Sequence, residues 1–163
     1  MFNSTIKRNY ILGKKVSIDE MLVSYRGRCI FLQYMPRKPS KYRIKMWCIC
    51  DSKSSYVYTL IIYVRRSPNQ VDRAVNLGKI VVMQLTAPLY NSGRTIYTDN
   101  FFTSIPLIEE LLEKKLTYVG TICKNKKQLP IFTKNKNRQE GSVIQTFNDK
   151  LVVTLLSFIP KKK

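Results

Sequence analysis

Apolar and polar positions alternate with period two over much of the first third of the chain. Residues 16–22, Val-Ser-Ile-Asp-Glu-Met-Leu, form a short apolar run carrying two acids, Asp19 and Glu20. Residues 42–50 place Ile44, Met46, Cys48 and Cys50 on one face and Trp47 and Ile49 on the other. That pattern predicts a central strand whose second half is buried on both sides. After a Ser-rich turn at 51–55, residues 56–64 are β-branched and aromatic throughout, and the two runs predict a hairpin.

The period then changes to that of a helix. Val71, Ala74, Val75, Gly78, Val81, Val82 and Leu85 recur on one face, with Pro68-Asn69 as a start signal. Gly78 costs helix stability but allows another segment to approach that face closely. Residues 94–98 read as a short strand ending at Asp99. Ser104 is placed to cap a second helix with Pro106 in its first turn, a stripe of Leu107, Ile108, Leu111 and Leu112, and Lys114 and Lys115 after Glu109, Glu110 and Glu113. A strand over 116–122 follows, then a basic, turn-rich stretch at 124–138 and a last apolar strand over 150–159. The order β-β-β-α-β-α-β predicts an α/β fold with a mixed sheet. Among folds of this size, the ribonuclease-H-like arrangement has that order, with strand-borne acids converging at one edge.

Charge narrows the partners. The 163 residues hold 29 Lys and Arg against 10 Asp and Glu, a formal charge of +19, which favours nucleic acid first and an anionic membrane surface second. Arg26, Arg28, Arg37, Lys38, Lys41, Arg43 and Lys45 make one cluster; Lys124, Lys126, Lys127, Lys134, Lys136 and Arg138 make another. They read as phosphate contacts or as solvated faces. Histidine is absent, which removes Ser-His-Asp and Cys-His catalysis and any His-ligated zinc. Cys29, Cys48, Cys50 and Cys123 lack the spacing of a zinc site and read as buried free thiols of a reduced compartment. No apolar run approaches the ~18 residues of a membrane span, and the first residues lack a secretory h-region.

Two carboxylates stand where chemistry would need them. Asp19 lies in the first predicted strand and Asp99 at the C-terminal end of the fourth. If those strands are neighbours, both open into one crevice, where paired carboxylates suit Mg2+ or Mn2+ and phosphodiester chemistry. The plainer reading is that each caps a turn or loop.

The words around those acids carry a resemblance. Ser-Ile-Asp-Glu-Met-Leu-Val-Ser-Tyr-Arg-Gly-Arg at 17–28 and Tyr-Met-Pro-Arg-Lys-Pro-Ser-Lys-Tyr-Arg-Ile-Lys at 34–45 come first. Tyr-Thr-Asp-Asn-Phe-Phe-Thr-Ser-Ile-Pro-Leu at 97–107 and Val-Gly-Thr-Ile-Cys-Lys-Asn-Lys at 119–126 follow. Together they resemble the core of piggyBac-type transposases, in the family's order and near its spacing. The resemblance implies a nuclear protein with a ribonuclease-H-like domain that cuts and rejoins DNA through an Asp triad holding Mg2+ or Mn2+. Asp19 matches the first Asp and Asp99 the second. The third has no counterpart here, and Asp149 and Glu140 fall in what resembles the start of the family's inserted subdomain. Implied DNA contacts are Arg26, Arg28, Lys41, Lys124, Lys126 and Lys127; Cys123 stands where the family has Arg. The implied organisation is the end of an N-terminal dimerisation and DNA-binding region at 1–14, part of the catalytic domain at 15–123, and the start of a β-rich insertion at 124–163. The expected partners are DNA and a second copy or a full-length transposase, with no membrane and no small-molecule substrate. A fragment without the third Asp is expected not to cleave DNA alone; the alternative is a domesticated DNA-binding or protein-interaction module.

Overall fold

Strand β1, Lys15–Ser24, is the organising element of the larger part of the computed structural model, which describes residues 2–64, 76–131, 137–149 and 152–161. The chain divides into two compact units, Met1–Thr121 and Ile122–Lys163.

In the first unit, helix α1 (Phe2–Asn9) precedes β1, which is followed by β2 (Leu32–Tyr34), β3 (Tyr42–Asp51) and β4 (Val57–Ile62). Helix α2 (Leu77–Thr86), a 3-10 turn at Ala87–Leu89, β5 (Thr95–Thr98), α3 (Ile105–Glu113) and β6 (Thr117–Gly120) complete it. One mixed sheet runs β4, β3, β1, β5, β6, with β2 beside the start of β3. β3 is antiparallel to β1, and β5 and β6 run parallel to it. The central position expected for β3 holds, as does its hairpin with β4.

Alternation divides the sheet into two faces. Val16 and Ile18 of β1, Trp47 and Ile49 of β3 and Ile96 of β5 are buried on one face, in a cluster with Val81, Val82 and Leu85 of α2 and Leu107 and Leu111 of α3. Asp19, which registers with Cys48, belongs to the opposite face.

Several expectations need correction. The sequence pattern did not anticipate α1, β2 or the first strand of the second unit. α1 is polar along most of its length; it packs on β4, where Asn3 donates to the Leu60 carbonyl (2.9 Å) and accepts from the Leu60 amide (3.0 Å). β2 has three residues, too few to show a period. Leu112, assigned to the buried stripe of α3, is 42% exposed, because only Leu107 and Leu111 face the sheet fully. Ser104 stands at the α3 N-cap, but its hydroxyl makes no capping bond; its carbonyl instead accepts from the Leu107 and Ile108 amides. The predicted start of α2 at Pro68-Asn69, with Val71, Ala74 and Val75, lies outside the described residues.

The second unit holds an antiparallel pair, β7 (Val143–Asn148) and β8 (Val153–Phe158), where a single strand was expected. Arg138 ties the pair together, donating to the Ser157 hydroxyl (3.0 Å) and carbonyl (2.8 Å) and the Ser142 carbonyl (3.2 Å).

Candidate active site and nucleic-acid interface

The condition set by the sequence, that the strands bearing the two acids be neighbours, is met. β1 and β5 pair in parallel with Ser17 beside Tyr97 and Ile18 beside Thr98. The ladder ends there, with Asp19 the next residue of β1 and Asp99 the first residue after β5. Both residues are exposed.

Local bonds orient each acid. Asp19 Oδ1 accepts from the Glu20 amide at 2.7 Å, and Asp99 Oδ1 accepts from the Phe101 amide at 2.9 Å. The loop-capping bond of the plainer reading is therefore real for Asp99, and it coexists with the pairing. Beside Asp19, Cys48 donates to its carbonyl at 3.5 Å. The adjacent Cys48 thiol lowers Cys50 to about 7, while Cys50 and burial push Cys48 up. All four cysteines are free thiols, although only Cys48 is fully buried.

The loop after Asp99 is fastened from three sides. Thr103 Oγ1 donates to the Asp99 carbonyl at 2.7 Å and meets the Tyr118 hydroxyl at 2.8 Å; Thr98 also bonds that hydroxyl. Burial pushes the Tyr118 phenol up, so it remains protonated at neutral pH. From α2, Gly78 approaches so closely that a Cβ there would lie 2.7 Å from the Phe101 carbonyl. Close approach is what the glycine in that apolar stripe predicted. From β3, Trp47 stacks on Phe101 with centroids 5.4 Å apart. Lys45 lies over the Trp47 ring at 4.0 Å and pairs with Glu20 at 2.5 Å, bridging the neighbours of both acids.

The predicted cations divide by what they touch. Arg26 and Arg28, in the segment after β1, and Lys41, just before β3, are exposed. Lys45 is engaged with Glu20 and Trp47, and Arg43 donates to the Ser40 carbonyl at 2.7 Å. Arg138 clamps β7 and β8, so these three are held by the fold rather than presented. In the second unit Lys124 and Lys127 are exposed and Lys126 is half-buried. Lys134 and Lys136 lie outside the described residues. Asp149 and Glu140 are exposed members of that second unit. Among the described residues no group of three or more His, Cys, Asp or Glu is arranged to hold a metal ion. No helix among them is long and apolar enough to cross a membrane.

The family described as Transposase IS4 matches residues 1–163, the whole chain. A cryo-EM structure of a piggyBac transposase synaptic complex with hairpin DNA superposes with a TM-score of 0.87 at 41% identity, over 98% of this chain and 33% of that one. This chain is a member of the piggyBac-type transposase family. Human piggyBac transposable element-derived protein 3 is 28% identical over 157 residues, covering 86% of this chain and 26% of its own length. The human chimeric ERCC6-PGBD3 protein aligns at the same 28% identity, over 15% of its length. The chain thus spans about a quarter of the first of these curated relatives and a third of the solved transposase.

Proposed function

We propose that this chain carries two of the metal-binding carboxylates of a DNA transposase, Asp19 and Asp99, on a ribonuclease-H-like sheet, and that it binds DNA through exposed cations. The observation that supports the reading is the parallel register of β1 and β5, which pairs the residues immediately before the two acids, Ile18 and Thr98. The strand order β4, β3, β1, β5, β6, antiparallel then parallel, supports the fold assignment. The solved relative is a synaptic complex with hairpin DNA, which supports DNA as the partner here; action in the nucleus follows from membership of a transposase family.

Two hard oxygen donors suit Mg2+ or Mn2+, which often bind one or two carboxylates and take further oxygens from water and phosphate. When bound, such a cation neutralises charge at a phosphodiester undergoing displacement. Asp19 and Asp99 would hold such a cation, Thr103 fixes the start of the loop at Asp99, and Arg26, Arg28 and Lys41 draw in the DNA backbone. In the second unit, Lys124, Lys126 and Lys127 of the basic stretch at 124–138 are candidate phosphate contacts in their own right. With two acids and no three-donor group among the described residues, the chain alone is expected to bind without cutting.

Mn2+ titration followed by water-proton relaxation should report binding to the 163-residue chain that disappears in Asp19→Asn and in Asp99→Asn. Binding that survives both substitutions would sink the metal reading. Supercoiled plasmid incubated with the protein and Mn2+ should stay uncut. Nicking lost in the two Asp variants would overturn the expected inactivity while upholding the site.

A further inference from the structure

We propose that Tyr34 and Tyr42 form a stacking platform for unpaired bases of single-stranded DNA, with Arg26, Arg28 and Lys41 on its phosphates. This rests on the DNA-binding reading of Arg26, Arg28 and Lys41, but it is independent of metal binding by the two acids.

Tyr34 and Tyr42 are register partners between β2 and β3, with ring centroids 5.2 Å apart and planes tilted by 46°. Their exposures are 54% and 50%, so neither ring is covered. Tyr25, 40% exposed, joins them at the same end of the sheet, its amide donating to the Tyr42 carbonyl at 3.2 Å. A cross-strand aromatic pair stabilises any sheet by up to about 1 kcal/mol, and that alone would not mark a site. What marks this one is its electrostatic setting. Between Glu20 and Asp51 the sequence holds seven Lys and Arg and no Asp or Glu. Arg43 and Lys45 are engaged internally, while Arg26, Arg28, Arg37, Lys38 and Lys41, which flank the tyrosines in the chain, are exposed.

Phosphate needs only the cations; the bare phenol faces add nothing to a duplex, whose base faces are already stacked. Flat aromatic rings beside a basic track suit unpaired bases, each such contact contributing about 1–3 kcal/mol. An acidic protein segment would satisfy the cations equally, without needing the rings.

The placement also fits the carboxylate pair. Along β3, Tyr42 and Cys48 lie on one face, and Cys48 registers with Asp19. Tyr42 and Cys48 are six residue steps apart along the strand, about 20 Å. That is about six nucleotide steps at a rise of ~3.4 Å, within the ~4–16 nucleotides typical of single-strand sites. A strand tracked across this face from the tyrosines would reach the acids.

The test is fluorescence anisotropy with a labelled oligothymidine and a matched duplex, using the 163-residue chain over a series of salt concentrations. Tyr34→Leu and Tyr42→Leu keep apolar bulk but lose the flat face, and each should weaken single-strand binding about tenfold without changing the salt slope. Tyr34→Phe and Tyr42→Phe should bind like the wild type. Duplex affinity should be unchanged in all four, whereas Lys41→Ala should weaken both ligands and lower the slope by about one. Single-strand affinity unmoved by the Leu variants, a Leu-variant loss shared equally by the duplex, or poly-glutamate competing as well as oligothymidine would each overturn the proposal. Asp19→Asn separates the two readings. Tyrosine-dependent binding in a chain that fails to bind Mn2+ leaves the platform standing and removes the metal site. Asp-dependent Mn2+ binding with tyrosine-independent DNA binding does the reverse.

Discussion

Thr103 has a buried hydroxyl with three partners, Thr98, Asp99 and Tyr118, and the last two matter most to where Asp99 sits. Its bond to the Asp99 carbonyl fixes the start of the loop, and its contact with Tyr118 fixes the loop to β6. Thr103→Val keeps the shape and removes the hydroxyl, leaving the half-buried Tyr118 phenol and the Asp99 carbonyl with Thr98 as their remaining partner, at a cost of about 1 kcal/mol. Thr103→Ser should recover most of that. Chemical denaturation of the three proteins checks the order, and a Val variant as stable as wild type would contradict it. Gly120 belongs to the same arrangement, since a Cβ there would lie 2.8 Å from Thr103 Oγ1 and 3.0 Å from the Tyr118 ring. Gly120→Ala should therefore destabilise the protein, although in an ordinary strand that change would be favourable or neutral. The positions of the two acids, Asp19 in β1 and Asp99 directly after β5, were legible in the sequence because each lies in or beside a strand that the pattern marks. Thr103 sits inside the same motif as Asp99, but its role needs a partner from a strand 15 residues later, which a local pattern does not reveal.

Elements with a sustained period were the legible ones: β1, β3, β4, α3, β5 and β6 all stand where alternation or helical spacing placed them. Those that depend on a partner were not. α1 is held by its dock on β4, β2 by β3, and β7, with Gln145, Thr146 and Asn148 diluting its apolar face, by β8. The joint before β1 is another tertiary feature. Asp51, at the end of β3, is buried and accepts from the amides of Gly13 (2.7 Å), Lys53 (2.8 Å) and Ser54 (3.2 Å). Those bonds, Gly13 first, hold its carboxyl below the usual carboxylate range. The unfolded chain therefore takes up the proton at a higher pH than the folded one, so stability rises with pH through that window. The contribution is complete above the unfolded value of about 4 and is lost as pH falls through the lower folded value. Asp51→Ala should cost about 1.5–3 kcal/mol at pH 7. The difference in thermal midpoint between wild type and variant should shrink as pH falls below about 4. A difference that stays constant on acidification would mean the carboxylate is not what holds the joint.

At the scale of the whole molecule, net charge sets the sign of the response to salt. Against a charge of +19, the ion pairs Lys45–Glu20 and Lys79–Glu110 are local and partly exposed, and partly exposed pairs contribute little. Repulsion among 29 cations has no comparable offset from 10 acids, so compaction works against a positive field. Raising ionic strength shortens the Debye length from about 30 Å at 0.01 M to about 8 Å at 0.15 M, screening distant repulsion more than the close pairs. The thermal midpoint should rise over that range, by about 2–4 °C for each kcal/mol of repulsion removed. DNA affinity should fall over the same range, because each phosphate contact releases counterions that added salt holds in place. Salt should thus move stability and DNA affinity in opposite directions. A midpoint that falls with salt would mean specific ion pairs outweigh the net charge. An affinity indifferent to salt would mean that the exposed cations Arg26, Arg28 and Lys41 do not meet phosphate.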